Sequence, residues 1–211
     1  MSARQIPGLD YDSETKNHIM EVAITLFAKK SFAAVTTRDI ANAAGINVAL
    51  LYYYYKSKET LFEDIISFFE RGYNHYFDWL SEMNEKAETL EDVMDNMFND
   101  EFVNMRNEIA CLGMSVVIKE QHCNESARKC VFDLFYGRSI DSMKADFDRL
   151  IERGVIPPTD TKTIAMFFMF SVMVSNEIRL HKYTGTEPPL ECAEIYAGLK
   201  KHITDALRHG C

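Results

Sequence analysis

The chain has 211 residues, of which 47% are hydrophobic, and a formal net charge of −9 at pH 7. This length suffices for one or two domains with a buried core, and a charged fraction of 26% excludes a largely disordered chain. Its acidity argues against a protein that coats nucleic acid indiscriminately.

The charge is unevenly distributed along the chain. Residues 1–56 have a balance of +1, whereas residues 57–211 have a balance of −10. An acidic body repels phosphate backbones, so the N-terminal segment is the expected contact surface for a nucleic acid.

Cysteine usage and hydropathy predict a cytoplasmic protein without a membrane partner. No secretory apolar segment follows Met1, and the longest apolar run, residues 164–175, is too short to cross a bilayer. An odd number of cysteines without a CxxC pair predicts reduced thiols. They are Cys111, Cys123, Cys130, Cys192 and Cys211.

The first two predicted helices begin near residue 13 and at Thr36. Apolar residues recur at three- and four-residue spacing over residues 19–27, which indicates one amphipathic helix. Thr36 and Asp39 have the spacing of a capping box, and Gly45 suits the left-handed position that ends a short helix.

Two further helices follow at once. Asn47 is a candidate N-cap for a helix over residues 48–55, and Ser57 is a candidate N-cap for a long helix over about 58–83. Residues 36–55 therefore predict a helix, a glycine-containing turn and a second helix, which is the helix-turn-helix pattern.

The rest of the chain predicts only helices, separated by Gly154 with Pro157-Pro158 and by Gly185 with Pro188-Pro189. They cover about residues 88–106, 108–120, 124–153, 160–182 and 189–208. The expected fold class is all-α, with about nine helices.

The segment VTTRDIANAAGINVALLYYYYKSKETLFEDI, residues 35–65, resembles the signature of the TetR family of transcriptional regulators. The matching positions are Thr36, Ile40-Ala41, Ala44-Gly45-Ile46, Leu51-Tyr52-Tyr53-Tyr54-Tyr55 and Lys58. The resemblance implies a DNA-binding domain at residues 1–56 and a ligand-sensing, dimerising domain at residues 57–211.

The resemblance also implies how such a protein works. It predicts a repressor that binds a palindromic operator in double-stranded DNA and is released by a small-molecule effector, without a metal or cofactor. The homodimer would form through the helices at about 160–182 and 189–208. Apolar stripes are compatible with that packing; they comprise Ile164, Phe167, Phe168 and Ser171, and Ile195, Leu199, Ile203 and Ala206.

Carried over by position, the resemblance assigns DNA contacts within residues 36–58. Thr36 mainly caps its helix, and Arg38 is the candidate for a base-edge contact because arginine pairs bidentately with guanine. The residues that the resemblance assigns to phosphate contacts are Thr37, Asn47, Tyr52, Tyr53 and Lys58.

The second helix of the helix-turn-helix, called the reading helix below, is the one expected to enter the major groove. It begins with Val48, Ala49 and Leu50, which favour van der Waals contact with thymine methyl groups over hydrogen-bonded readout. The run Tyr52–Tyr55 is a weaker candidate for a single-strand stacking platform, since consecutive helical residues point in four directions. We expect Tyr54 and Tyr55 to pack inward.

Aromatic and methionine side chains of the body are compatible with an apolar effector pocket and equally with core packing. A mainly apolar or aromatic effector, with a cation as one option, is expected rather than a phosphorylated metabolite, because no cluster of basic residues lies within the apolar runs. The candidate ligand-binding residues are Trp79, Phe98, Phe102, Met105, Phe132, Tyr136, Met166, Phe170 and Glu177.

Two other functions, and a metal or redox site, compete with this interpretation. An enzyme is disfavoured because the sequence shows no catalytic triad, P-loop or metalloprotease motif. His122, Cys123 and Cys130 lack the paired spacing of a structural zinc site, so core packing is the better interpretation. A helical interaction protein that has lost DNA binding stays open, because the reading helix begins with apolar residues.

Overall fold

The computed structural model describes residues 14–98, 108–184 and 192–210, and its regular elements in these ranges are helical. They are α1 (Glu14–Lys29), α2 (Thr37–Ala43), α3 (Val48–Tyr54), α4 (Lys58–Lys86), α5 (Leu90–Met97), α6 (Glu108–Glu120), α7 (Glu125–Val131), α8 (Ser139–Glu152), α9 (Thr161–Thr184) and α10 (Cys192–His209).

Two short elements lie between these helices. A 3₁₀ turn, Phe32–Ala34, links α1 to α2, and a π-helical stretch, Phe132–Arg138, joins α7 to α8 without a break. With α7, the π-helical stretch and α8 taken as one helix, the described ranges contain nine helices, which agrees with the predicted number.

The predicted all-α fold class is confirmed, since every regular element in the described ranges is helical. The long segment predicted over residues 124–153 corresponds to α7, the π-helical stretch and α8 together.

Local capping signals place the N-terminal helices where the sequence predicts them. Thr36 Oγ1 accepts from the Asp39 N–H at 3.1 Å, while Asp39 Oδ2 accepts from the Thr36 N–H at 2.8 Å. Ser57 and Thr60 form a second capping box at the start of α4. Gly45, at φ 66°, occupies the left-handed position that ends the α2 turn.

The N-terminal helices share an aromatic cluster with α4. Phe27 of α1, Phe32 of the 3₁₀ turn and Phe62 of α4 have ring centroids 4.9–5.8 Å apart. Phe27 and Phe62 are essentially inaccessible to solvent. The start of α4 therefore belongs to the core of the N-terminal unit, because burying these rings against one another fixes its position.

The remaining helices pack around α4 and α9. Helix α6 contacts α1, α4 and α9, and α4 also contacts α5, α7 and α8. Helix α6 approaches α4 closely at Gly113, where an added Cβ would lie 2.2 Å from the Phe69 ring. Any larger residue at position 113 would therefore require the Phe69 ring to move.

The C-terminal end of α4 is held by a buried polar network. Asn84 Nδ2 donates to Asp146 Oδ2 at 2.6 Å, Arg149 Nη1 donates to Asp146 Oδ1 at 3.1 Å, and Asn96 Nδ2 donates to Asn84 Oδ1 at 3.1 Å. Burial raises the pKa of the Asp146 carboxyl, and the hydrogen bonds from Asn84 and Arg149 oppose that rise.

Several element bounds differ from the sequence-based expectation. Helix α5 ends at Met97, and residues 99–107, where a continuation was predicted, lie outside the described residues. The π-helical stretch was not predicted. It is stabilised by the Ser139 hydroxyl, which donates to the Leu134 carbonyl at 2.5 Å. No helix in the described ranges has the length and hydropathy needed to cross a membrane.

The expected apolar stripe of α9 is divided between two faces. Ile164 and Phe168 are buried inside the protomer at 8% and 1% exposure, so that part of the predicted dimer stripe is wrong. Phe167, Phe170 and Val174 are instead exposed at 62%, 46% and 54%. The α9 helix is apolar on most sides, and periodicity alone could not decide which side the protomer buries.

Candidate nucleic-acid interface

Helices α2 and α3 are joined at their outer surface by two hydroxyl groups. Thr37 Oγ1 at the start of α2 lies 3.3 Å from the Tyr52 hydroxyl of α3. Tyr52 is 47% exposed, so the pair lies at the surface. This contact joins the two helices at the surface and presents two hydroxyls together, a combination suited to phosphate oxygens.

The capping residues are partly engaged within the protein. The Thr36 hydroxyl donates to Asp39 Oδ2 at 2.7 Å, and hydrogen bonds from Thr36 hold the pKa of the Asp39 carboxyl below its usual value. Asn47 Oδ1 accepts from the Leu50 N–H at 2.8 Å. Thr36 is therefore a cap, as predicted, and Asn47 retains only its amide N–H groups for an outside partner.

The outward face of α3 is aromatic and aliphatic. Tyr53 is 80% exposed, Leu50 is 36% exposed, and Ala49 is also exposed. Val48 is half-buried and packs against the core. The outer surface of α3 therefore presents hydroxyl, methyl and ring groups.

The tyrosine run divides between surface and interior. Tyr54 packs against the core and contacts the Tyr53 ring edge-on, with centroids 5.1 Å apart. Tyr55 is 3% exposed, and its hydroxyl donates to Asp64 Oδ2 at 3.1 Å. Lys16 makes an ion pair with the same carboxylate at 2.8 Å. Tyr54 and Tyr55 pack inward as predicted, which leaves no row of four stacked rings.

Arg38 lies on the outer surface of α2. Its side chain is exposed, and the described part of the chain gives it no hydrogen bond or ion pair. A guanidinium without an internal partner is free to reach a base edge or a phosphate. Arg38 therefore keeps the geometry that its predicted role requires.

Lys58 has internal partners that the sequence did not reveal. Its ammonium donates to the carbonyls of Phe32 at 2.7 Å and Val35 at 2.8 Å, and lies 4.2 Å from the centroid of the Phe32 ring. Two of the three ammonium donors are therefore used inside the protein. Lys58 ties the link between α1 and α2 to the first turn of α4.

The C-terminal end of α6 also forms hydrogen bonds with the link between α1 and α2. Glu120 Oε1 accepts from the Phe32 N–H at 2.9 Å, and Lys119 Nζ donates to the carbonyls of Phe27 and Lys30 at 3.5 and 3.3 Å. Glu120 is 7% exposed. Sequence reasoning missed this contact because only the tertiary fold brings residues 32 and 120 together.

The candidate effector residues do not form one pocket. Phe132, Tyr136 and Phe170 lie close together, with centroids 5.3 Å apart for Phe132–Tyr136 and 6.5 Å for Tyr136–Phe170. Phe98 packs elsewhere, against Phe168 at 5.2 Å.

The other candidates have separate surroundings. Trp79 packs beside Tyr76 on α4, and Met166 is half-buried on α9. Phe102, Met105 and the side chain of Glu177 lie outside the described residues.

A surface groove adjoins the Phe132 cluster. It has a volume of about 350 Å³ and is lined by Gln121, His122, Arg128, Phe132 and Tyr136. Phe132 is 63% exposed, so the groove opens to solvent.

The alternative metal site finds no support in the geometry. Among the described residues, no three His, Cys, Asp or Glu side chains are grouped as metal ligands. Cys130 is buried, which raises the pKa of its thiol to about 12 and keeps it protonated, whereas Cys123 is exposed.

Comparison with known proteins agrees with the helix-turn-helix geometry. Residues 19–65 match the model of a family described as "Bacterial regulatory proteins, tetR family". The chain is 34% identical over 85 residues to the "Probable HTH-type transcriptional regulator YttP" of Bacillus subtilis, a match that covers 40% of this chain and 41% of that protein.

A longer match is weaker in identity. The chain is 25% identical over 189 residues to the HTH-type transcriptional repressor KstR2 of Mycolicibacterium smegmatis, covering 85% of this chain and 84% of that protein.

Solved structures share the fold of the whole chain. A TetR-family transcriptional regulator from Cytophaga hutchinsonii superimposes with a TM-score of 0.62 and 16% identity, covering 96% of this chain and 99% of that one. SmeT in complex with triclosan superimposes with a TM-score of 0.70 and 17% identity, covering 92% and 91%.

These matches and the geometry of α2 and α3 lead to one conclusion. The capped α2, the turn at Gly45 and the exposed face of α3 all lie within residues 19–65, where the family model matches. Through this helix-turn-helix, residues 19–65 of the chain are similar to the TetR family of bacterial regulatory proteins.

Proposed function

We propose that the protein is a transcriptional repressor that binds a palindromic operator as a homodimer and is released by a small-molecule effector. The observation that carries the proposal is the exposed surface of α2 and α3 within the family-matched segment. Both YttP and KstR2 are described as transcriptional regulators, and the proposal includes no catalytic step. A protein that acts on the chromosome of a bacterium works in the cytoplasm.

Within this function, hydroxyl groups of the two helices bind phosphates. Thr37 and Tyr52 act as a pair, Tyr53 acts from the most exposed position of α3, and Asn47 acts through its amide N–H groups. Arg38 reaches a base edge at the border of the half-site.

Lys58 acts as a positioning residue rather than as a phosphate ligand. Two of the three donors of its ammonium are bonded to the carbonyls of Phe32 and Val35, so they hold the link between α1 and α2 and are not available to a phosphate. This role departs from the one that the family resemblance implies.

The dimer face of α9 is formed by Phe167, Phe170 and Val174. These residues share one side of the helix because they are three and four positions apart, and all three are large and exposed. An exposed stripe of large apolar side chains is typical of a surface that a partner covers. Two copies on one duplex would contact two half-sites, which explains the palindrome.

The effector is proposed to be mainly apolar or aromatic. SmeT, which shares the fold, is described in complex with triclosan, and Phe132 and Tyr136 offer an aromatic wall in an open groove. The effector must favour one spacing of the two α3 helices, since a ligand with equal affinity for both states shifts neither.

Selection of bound duplexes from a random pool tests the proposal on the full chain. Enrichment of an inverted repeat, with binding that weakens steeply as salt rises, is the expected result. A Tyr53→Ala, Arg38→Ala double variant should lose this enrichment, while Met83→Ala, which changes an exposed residue of α4, should keep it.

The alternative function is a helical interaction protein that has lost DNA binding. The apolar outer face of α3 is the observation that favours it. A pool without any enriched sequence, at low and at physiological salt, would support this alternative and contradict the proposed repressor.

A further inference from the structure

The face that α3 turns outward has a distinctive chemical composition. Ala49 and Tyr53 are one turn apart and share the centre of this face, Leu50 and Tyr52 flank them, and Leu51 on the opposite side is fully buried. None of the residues from Val48 to Tyr54 has a charged or amide side chain.

Two polar groups beside this face have partners within the protein. Asn47 Oδ1 accepts from the Leu50 N–H at 2.8 Å, and the Tyr52 hydroxyl lies 3.3 Å from Thr37 Oγ1. A bidentate hydrogen-bond pair with a base needs a free amide or guanidinium. Helix α3 supplies neither, and the exposed guanidinium at this surface is that of Arg38 on α2.

The base edges of the major groove contain one apolar group, the C5 methyl of thymine. The methyl group of Ala49 and the isobutyl group of Leu50 match it in chemistry, and both are accessible in the first turn of α3. Contact between such groups removes apolar surface from water, which stabilises the complex without any hydrogen bond.

We propose that α3 selects its half-site through thymine methyl groups, which Ala49 and Leu50 contact in the major groove. The operator then has A·T pairs beneath the first turn of α3, oriented so that the thymine methyls face these two residues. A guanine in the half-site, if present, lies toward Arg38. This inference rests on the proposed function and specifies the DNA that the same site binds.

Replacement of thymine by deoxyuridine tests the inference directly, because it removes the C5 methyl and leaves every hydrogen-bonding group in place. The full-length protein is titrated with a duplex obtained from the random pool, and thymines are replaced one at a time. Each contacted methyl should weaken binding about fourfold when removed. Thymines outside the half-sites should have no effect and serve as internal controls.

A protein variant then identifies the contacting side chain. Leu50→Ala should abolish the difference between thymine and deoxyuridine at one position of each half-site and preserve it elsewhere. Val155→Ala, a truncation of an exposed aliphatic residue of the body, should leave every difference unchanged. Leu50 is accessible, so an unchanged melting temperature will show that the variant folds.

The outcomes separate this inference from the function on which it rests. A selected operator whose affinity is unchanged when all half-site thymines become deoxyuridines overturns the inference and leaves the repressor function standing. A pool that yields no preferred sequence overturns both. Position-specific weakening on methyl removal, abolished by Leu50→Ala, supports both.

Discussion

The carboxylate of Glu120, at the last residue of α6, accepts a hydrogen bond of 2.9 Å from the backbone N–H of Phe32, 88 positions away in the chain. The carbonyl of the same Phe32 accepts from Lys58 Nζ at 2.7 Å. One residue of the link between α1 and α2 is therefore held on one side by the body and on the other by α4. Because these hydrogen bonds join α6 to the link, we expect a movement of α6 to displace the link as well.

Removing the Glu120 acceptor should loosen this link. We expect Glu120→Ala to lower the free energy of unfolding by about 1–3 kcal/mol, because the Phe32 N–H then has no partner in a poorly hydrated place. Glu120→Gln keeps an oxygen acceptor and should lower it by less than half as much. Urea denaturation measures both, and equal effects of the two variants would contradict a role for this hydrogen bond.

Lys58→Met distinguishes a positioning role from phosphate binding. Removing the two hydrogen bonds of the ammonium should lower the free energy of unfolding by about 1–3 kcal/mol, while the dependence of operator affinity on salt stays unchanged. Removing a phosphate ligand would instead lower the salt slope by roughly one unit for each phosphate that it had bound. Lys56→Met, at an exposed neighbouring position, is the matched control for stability.

Phe170→Glu should disrupt the proposed dimer. A carboxylate buried without a partner in an apolar interface costs about 3 kcal/mol or more, so self-association should weaken by roughly a hundredfold or more. Sedimentation equilibrium over a range of concentrations provides the measurement. Met83→Glu introduces the same charge at an exposed position on α4 and should not change self-association. A Phe170→Glu protein that sediments like the wild type would place the interface elsewhere.

The raised pKa of the Asp146 carboxyl predicts that the free energy of unfolding depends on pH. Burial raises the pKa of this carboxyl in the folded protein, so the folded state binds this proton more tightly than the unfolded state does. The stabilisation from this group is fully present below the ordinary carboxyl pKa and is lost as the pH rises through the raised value.

The Asp146→Asn variant isolates that contribution. Its stability relative to the wild type should increase between about pH 3.5 and pH 7, roughly the range that spans an ordinary and a raised carboxyl pKa. Denaturant titrations at several pH values provide the measurement. A relative stability that falls over this range would show that the ion pair with Arg149 outweighs burial.

Much of the N-terminal unit is predictable because its signals are local. The capping boxes of Thr36 and Ser57, the cap at Asn47 and the left-handed Gly45 each depend on residues a few positions apart. Hydrogen bonds over such short separations form in the helix ends themselves, so the sequence pattern predicts them without knowledge of the fold.

For the body, residues 57–211, the sequence predicted that the elements are helices but not the local departures from α-helical geometry. Few helix breakers and a helical hydrophobic period predict α6, α9 and the long segment from α7 to α8. No local signal distinguishes the π-helical stretch, which depends on the Ser139 hydroxyl bonding the carbonyl of the preceding turn.

Amino-acid sequence alone determined the helix-turn-helix, its resemblance to the TetR family over residues 19–65 and the apolar character of α3, since each is a property of neighbouring residues. Tertiary structure alone decided that Lys58 faces the carbonyls of Phe32 and Val35, that Glu120 holds the other side of Phe32, and that α9 exposes Phe170 while burying Phe168. The physical reason is that the partners of Lys58, Glu120 and Phe168 lie in other elements, far away along the chain. Their surroundings are set by which helices pack together, and that packing follows from the burial of the whole core.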